Sequence, residues 1–115
     1  MEKINSGATA PDCIFCKIAR GEIPSEKLYE NEQLFIINDI NPKAPVHMLI
    51  IPKVHIPTLN DLEDSKLFAE IFKAIKFITQ KMNVKDYKTL INTGAGAGQI
   101  VFHLHVHILG EVSKI

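Results

Sequence analysis

The run Gln99-Ile100-Val101-Phe102-His103-Leu104-His105-Val106-His107-Ile108-Leu109-Gly110 places three histidines at every second position, with Phe102, Leu104, Val106 and Ile108 among them. Period-two alternation is the pattern of a strand with one apolar face, so the three imidazoles project from the same side. Same-face residues on a strand lie roughly 6.5–7 Å apart, which lets neighbouring rings touch one ligand but prevents three from converging on one small ion. The spacing therefore implies divided roles. Three plainer arrangements compete: a surface histidine tag, a core strand whose rings are satisfied internally, and a metal strand using two of the three. A tag would not be interleaved with large aliphatic residues. A core strand rarely carries three polar rings in a row on one face, because each buried ring needs a partner. A catalytic or metal-assisted anion site fits the pattern best.

The only two cysteines stand together as Cys13-Ile14-Phe15-Cys16. A small secreted domain held by disulfides would carry more. Three readings of the pair remain. A redox pair of the thioredoxin kind wants a preceding strand, and a polar leader stands there instead. Half of a zinc site needs two further ligands, which the histidines can supply. Two inert core cysteines need nothing else.

The elements that position these groups follow from local signals. Asp12 is a good helix N-cap and Gly21 a good helix stop, with Ile14, Phe15 and Ile18 sharing one face between them. Residues 26–30 and 33–38 read as two short strands joined through Asn31-Glu32. Asp39 to Pro45 is turn material with two prolines, and His47-Met48-Leu49-Ile50-Ile51 is an apolar strand ended by Pro52. His55, in the following loop, has no assigned task and defaults to a surface position beside Pro57. From about Asp64 to Met82, Leu67, Phe68, Ile71, Phe72, Ile75, Ile78 and Met82 keep helical periodicity, which predicts one long core-facing helix. Residues 87–92 form a further strand, and Gly94-Ala95-Gly96-Ala97-Gly98 leads into the histidine run. Strand, glycine loop, strand is neither a P-loop nor a dinucleotide-binding turn, since both need a helix after the glycines. The loop reads first as a hairpin turn, and its backbone N–H groups offer a second role against phosphate.

A chain of 115 residues with 46% hydrophobic content and no internal repeat is one compact domain, residues 11–115, after a loose polar leader at 1–10. Lys plus Arg and Asp plus Glu are balanced at 13 each, which removes the electrostatic argument for nucleic-acid or anionic-membrane binding. No apolar run approaches the ~20 residues of a bilayer span, and the N-terminus lacks a signal-peptide segment, so a cytoplasmic protein with a small partner is expected.

The segment His103-Leu104-His105-Val106-His107-Ile108-Leu109 resembles the signature of the histidine-triad (HIT) proteins. The companions appear in the family's order: the Cys13–Ile18 segment, then Asp39-Ile40, then Asn41-Pro42-Lys43-Ala44-Pro45-Val46-His47, then Asn92, then Gly98-Gln99. The resemblance covers Cys13 to Gly110. It implies an α+β fold with a mainly antiparallel sheet of about five strands, one long and one short helix, and a homodimer that extends the sheet.

The resemblance also implies a set of roles. His105 would be the nucleophile that attacks the α-phosphorus of a nucleoside monophosphate adduct, giving a nucleotidyl-histidine that water then hydrolyses. That chemistry needs a neutral imidazole, which a histidine of ordinary pKa, about 6.5, supplies at pH 7. His107 would lie against the phosphate oxygens, and His103 and Asn92 complete the catalytic set. Asp39 matches the carboxylate that accepts from both ribose hydroxyls, although an aspartate beside Pro42 is also ordinary turn chemistry. Ile14, Phe15, Ile18, Ile37 and Ile40 would form the slot for a purine, and Gly98, Gln99 and Ile100 would border the nucleotide. Asn92 would orient the phosphate or a histidine, and an asparagine opening a glycine turn is unremarkable too. Members with Cys-x-x-Cys suggest a structural zinc held by Cys13, Cys16, His47 and His103.

The implied activity is a purine nucleoside phosphoramidase releasing AMP or GMP, with dinucleoside polyphosphate hydrolysis and a zinc-stabilised nucleotide-binding interaction protein as the alternatives. Two departures touch substrate choice. Ile100 stands where many phosphoramidase members carry a hydroxyl, and the chain ends at Ile115, a few residues past the triad. His107, where the uridylyltransferase branch has glutamine, favours hydrolysis over nucleotide transfer.

Overall fold

The structure, a computed structural model, describes residues 12–111, so the leader expected at 1–10 lies outside the described residues. The order is α1 (Ile14–Ala19), β1 (Tyr29–Glu30), β2 (Leu34–Asn38), β3 (Val46–Pro52), α2 (Ser65–Lys81), β4 (Tyr87–Leu90) and β5 (Val106–Gly110). Short 3-10 turns occupy Leu59–Asp61 and Ala95–Ala97. The five strands form one antiparallel sheet in the order β1-β2-β3-β5-β4. This is the α+β arrangement with one short and one long helix that the sequence implies. No helix among the described residues is long and apolar enough to cross a membrane.

Strand alternation sends two sets of side chains to opposite faces. On one face Leu34, Ile36, Met48, Ile50, Val106 and Ile108 pack with Leu67, Ile71, Ala74, Ile75 and Ile78 of α2. Leu67, Ile71, Ile75 and Ile78 of the periodic stripe are core, whereas Phe68, Phe72 and Met82 are exposed, a correction to the expectation that the whole stripe faces the core. Asp64 caps the helix, its carboxylate accepting from the Lys66 N–H at 2.9 Å. On the other face Phe35, Ile37, Leu49 and Ile51 pack with Phe15 and Ile18 of α1. That second layer covers only part of the sheet, because α1 is six residues long. His47 and His107 lie on this face beyond it, since the register sets Leu49 opposite His107 and His47 opposite Leu109.

Two local expectations change. The N-cap of α1 is Cys13 and not Asp12: its Sγ accepts from the Cys16 N–H at 3.4 Å, so the sulfur does the capping and both cysteines sit at the helix start. The histidine run is not a strand throughout. β5 begins at Val106, and the Leu104 N–H donates to the Ile56 carbonyl at 2.6 Å instead of joining the β4 ladder. The link from β4 to β5 is accordingly a long connection through Ala95–Ala97, not a tight hairpin.

Gly110 shows how closely the end of β5 is packed. A Cβ there would stand 2.6 Å from Val84 Cγ1 and 3.1 Å from Val46 Cβ. Gly110→Ala is expected to cost about 1–3 kcal/mol of stability by overpacking, read as a fall in the denaturation midpoint with an unchanged m-value.

Candidate functional site

The three triad histidines take three different settings, His103 in a cluster with the cysteines, His107 beside His47 and Asp39, and His105 between them, and each ring's hydrogen bonds fix what it can do. The buried His103 ring approaches the Pro52 carbonyl with Nε2 at 2.7 Å. A carbonyl only accepts, so His103 Nε2 carries the proton and Nδ1 holds a lone pair. That lone pair faces Cys13 Sγ at 3.2 Å, Cys16 Sγ at 3.5 Å and His55 Nδ1 at 3.2 Å, while Cys16 Sγ lies 3.3 Å from His55 Nδ1. Two sulfurs and two ring nitrogens thus meet around one point, all within 4.8 Å of one another.

These four side chains form a cluster able to hold a metal ion. A tetrahedral ion with bonds of about 2.0–2.3 Å needs ligand separations of about 3.3–3.8 Å, close to those present. An S₂N₂ donor set suits a soft tetrahedral cation, and the His103 Nε2–H bond to Pro52 is the outer partner such a ligand ordinarily has.

The fourth member of this cluster is His55, a correction to the expectation of His47. The reason is the antiparallel register. β3 and β5 run in opposite directions, so the early end of the triad run lies by Pro52 and the loop that follows it, whereas His47 pairs with Leu109 at the far end. Pro52 lies five positions along the strand from His47, roughly 16 Å. His55, three residues past Pro52, is the histidine that reaches His103. The sequence by itself assigns His55 a surface position; the antiparallel pairing of two apolar strands is the signal that brings it to His103.

His105 stands between the cysteine cluster and the His47–His107 pair and belongs to neither. Its Nδ1 lies 2.7 Å from the His103 carbonyl, so Nδ1 carries the proton and Nε2 is left with its lone pair. The ring stands edge-on to Phe15, centroids 5.1 Å apart, and to His107 at 5.0 Å. Phe15 also meets His103 edge-on at 5.7 Å, so one aromatic residue of α1 fixes two triad rings.

His107 and His47 are diagonal neighbours across β5 and β3, and His47 Nε2 lies 2.9 Å from His107 Nδ1. Asp39 Oδ2 is 3.4 Å from the same His47 nitrogen, and Asp39 Oδ1 accepts from the Asn41 N–H at 2.7 Å. The aspartate is thus both the turn residue and an acceptor facing the histidines. His107 Nε2 is buried and has no hydrogen-bond partner among the described residues.

Burial lowers the pKa of His47, His55, His103 and His107 below the ordinary histidine value, and His103 and His107 fall to about 4. At His107 burial is followed by the neighbouring His105 and His47 rings, with Asp39 opposing them. The unfolded chain therefore takes up a proton at His107 before the folded one does. Stability from its neutral ring is complete above about pH 6.5 and is lost as the pH falls toward about 4. Denaturant titrations at pH 7.5 and 5 should show the loss, and His107→Asn should reduce proton uptake on unfolding near pH 5 by about one.

Of the other residues singled out, Phe15, Ile18 and Ile37 are buried in the α1 layer, while Ile14 and Ile40 are exposed beside Phe15 and Asp39, Ile40 at 90%. Ile100 is 88% exposed. Gln99 turns inward: its Nε2 donates to the Pro57 and Val101 carbonyls and its Oε1 accepts from the Gly94 N–H, so its amide is engaged in holding the glycine connection. Gly98 takes a left-handed conformation at φ 90°, and Asn92 is half-buried just past β4. His105, against Phe15 of α1, and Asp39, against His47, lie on the α1 side of the sheet.

Residues 12–115 match the family profile described as the C-terminal binding region of scavenger mRNA decapping enzyme. Protein HitA of Neisseria gonorrhoeae is 47% identical over 102 residues, covering 86% of this chain and 95% of HitA. Adenylylsulfatase HINT3 of Arabidopsis thaliana is 42% identical over 110 residues, covering 93% of this chain and 56% of that protein. A HIT family hydrolase from Legionella pneumophila superposes with a TM-score of 0.85 at 42% identity, covering 90% of this chain and 96% of the hydrolase. With sequence, fold and the arrangement of His103, His105 and His107 in agreement, the chain belongs to the histidine-triad family.

Proposed function

We propose that this protein hydrolyses purine nucleoside 5′-phosphoramidates through a nucleotidyl-histidine at His105. The observation that carries the reading is the tautomer of that ring. The His103 carbonyl holds the proton on Nδ1, and Nε2 keeps its lone pair, as an attacking imidazole requires.

In the first step His105 Nε2 attacks the α-phosphorus and the P–N bond breaks, the amine leaving with the electron pair and taking up a proton from solvent water, which the water consumed in the second step returns. In the second, water attacks the same phosphorus, the His105–P bond breaks and a nucleoside monophosphate is released. His107 Nε2 would donate to a phosphoryl oxygen through both steps, and Asp39 would accept from the ribose hydroxyls. Phe15, Ile18 and Ile37, with Ile14 and Ile40 at their edge, would form the wall for the base, with Asn92, Gly98 and Ile100 on the phosphate side. The name of the Arabidopsis relative points to an adenylyl group carried on a different leaving group, which fits selection of the nucleotide half over the half that departs.

The Cys13, Cys16, His55 and His103 cluster would hold a structural zinc ion. All four positions would be protein ligands, so the ion would fasten α1 and the 53–58 loop to the start of the triad run without touching substrate.

Strand β4 is exposed along its whole length at the sheet edge, beside a cleft of about 310 Å³ lined by Phe68, Phe72 and Ile91. An open edge next to exposed aromatic residues supports a homodimer in which a second copy continues the sheet. Phe72→Glu is then expected to shift the protein from dimer to monomer in light scattering; a monomeric wild type would oppose the dimer, and a variant that stays dimeric would oppose this interface.

The activity is tested by steady-state turnover of an adenosine 5′-phosphoramidate with a fluorogenic amine, alongside adenylyl sulfate and diadenosine tetraphosphate. Preferred cleavage of the phosphoramidate supports the reading. Preference for the polyphosphate would move the function to that substrate, and nucleotide binding without turnover of any of the three would leave a binding protein.

A further inference from the structure

Asp39, His47 and His107 form a second group whose ligand atoms lie within 4.8 Å of one another, so on distance alone it resembles a metal site as closely as the cysteine cluster does. The hydrogen bonds separate the two. The Lys43 backbone N–H donates to His47 Nδ1 at 3.0 Å, and an N–H can only donate. A neutral His47 ring must then carry its proton on Nε2, the nitrogen that faces His107 Nδ1 at 2.9 Å. His47 Nε2 is a donor there and has no lone pair for a cation. His107 Nδ1 accepts, which forces the His107 proton onto Nε2, the buried atom with no partner among the described residues.

We propose that His47 is a positioning residue that fixes His107 as the Nε2–H tautomer, passing the orientation of the Lys43 backbone N–H through its own ring. The fold supplies what such a relay needs. Pro42 and Pro45 bracket Lys43 and restrict the turn, and the Asn41 N–H bond to Asp39 closes it. The Asp39 N–H donates to the His47 carbonyl at 2.9 Å, so turn and strand are tied at both backbone and side chain. Asp39 Oδ2, at 3.4 Å, competes for the His47 proton from further away and keeps an acceptor beside the relay. Burial of His47 and His107 favours their neutral forms, which the relay requires.

The consequence for catalysis rests on the phosphoramidase reading; the tautomer itself does not. A fixed Nε2–H makes His107 a donor, suited to a phosphoryl oxygen that gains charge as the phosphorus becomes crowded. With the other tautomer, a lone pair would face that oxygen and repel it.

The test is the long-range ¹⁵N–¹H spectrum of the histidine rings near pH 7.5 in the intact protein, where the two ring nitrogens of each tautomer have distinct shifts. The expected wild-type spectrum shows His47 and His107 as Nε2–H. In His47→Leu, His107 should become a mixture of tautomers, with kcat down about 10–100-fold and KM changed less, as for loss of a residue orienting a reacting group. His47→Gln places an amide N–H where Nε2 stood and should restore both tautomer and kcat. An Nδ1–H signal for His107 in the wild type would overturn the proposal without any variant having to fold, and so would an unaltered His107 spectrum in a folded His47→Leu protein. If the wild type proves inactive on phosphoramidates, the spectra still decide the relay.

Discussion

His105→Ala is expected to lower phosphoramidate turnover by ~10³-fold or more while leaving nucleoside monophosphate binding within a few-fold of wild type. The size of the effect follows from what the ring does. It supplies the atom that bonds to phosphorus, and no neighbour can replace it. His103 Nε2 is bonded to Pro52 and its Nδ1 faces the two sulfurs, while His107 presents an N–H and not a lone pair. Binding should survive because the groups proposed to hold ribose and base, Asp39 and the α1 layer, stand apart from that atom. The pair of measurements is turnover and calorimetric binding of AMP. Equal turnover by the two proteins would remove His105 from the mechanism.

Loss of the zinc ion proposed at the cysteine cluster is expected to have the largest effect on stability. Cys13, Cys16, His55 and His103 come from α1, from the loop after β3 and from the approach to β5, so an ion held by all four would cross-link three segments of the chain. Removing the ion would leave two thiols and two imidazoles facing one another around a buried space, with their lone pairs opposed. Cys16→Ser, or exhaustive chelation, is expected to cost ~3 kcal/mol or more. In a domain of this size that lowers Tm by about 10 °C or more. Calorimetry with and without chelator, together with metal analysis of the purified protein, reads both parts. A metal-free preparation with the same Tm would show that the four side chains are held by hydrogen bonds alone. His47→Leu serves as the contrast, since His47 lies outside this cluster and should leave metal content unchanged.

Much of the fold is legible in the chain because its signals are local. The α2 stripe from Leu67 to Ile78, the apolar runs of β2 and β3 and the stop at Pro52 each follow from periodicity and turn chemistry, and each appears where expected. The triad is legible for the same reason. Its partition is not, because it depends on what the chain meets elsewhere. Alternation of histidine and aliphatic residues looks like strand from position 99 onward, yet the ladder starts at Val106, since the Ile56 carbonyl takes the Leu104 N–H. Gln99 looks like a ligand contact because it adjoins the triad, and only the fold shows its amide bonded to Pro57, Val101 and Gly94.

The exchange of His47 for His55 has the same origin. Both histidines flank β3, one before its apolar stretch and one after it, and composition cannot tell which end meets His103. Antiparallel register can. Once β3 and β5 are paired, His55 falls to the sulfurs and His47 to His107, and two residues of the same type acquire different chemistry from the ends of one strand.

Whether His105 bonds to phosphorus decides the mechanism. The direct measurement is the stereochemical course at the α-phosphorus, using a phosphoramidate whose α-phosphorothioate has one configuration and carrying out hydrolysis in ¹⁸O-labelled water. Two successive in-line displacements, first by His105 Nε2 and then by water, predict net retention of configuration in the released nucleoside phosphorothioate. Net inversion would mean that water attacks phosphorus directly, and it would contradict the nucleotidyl-histidine.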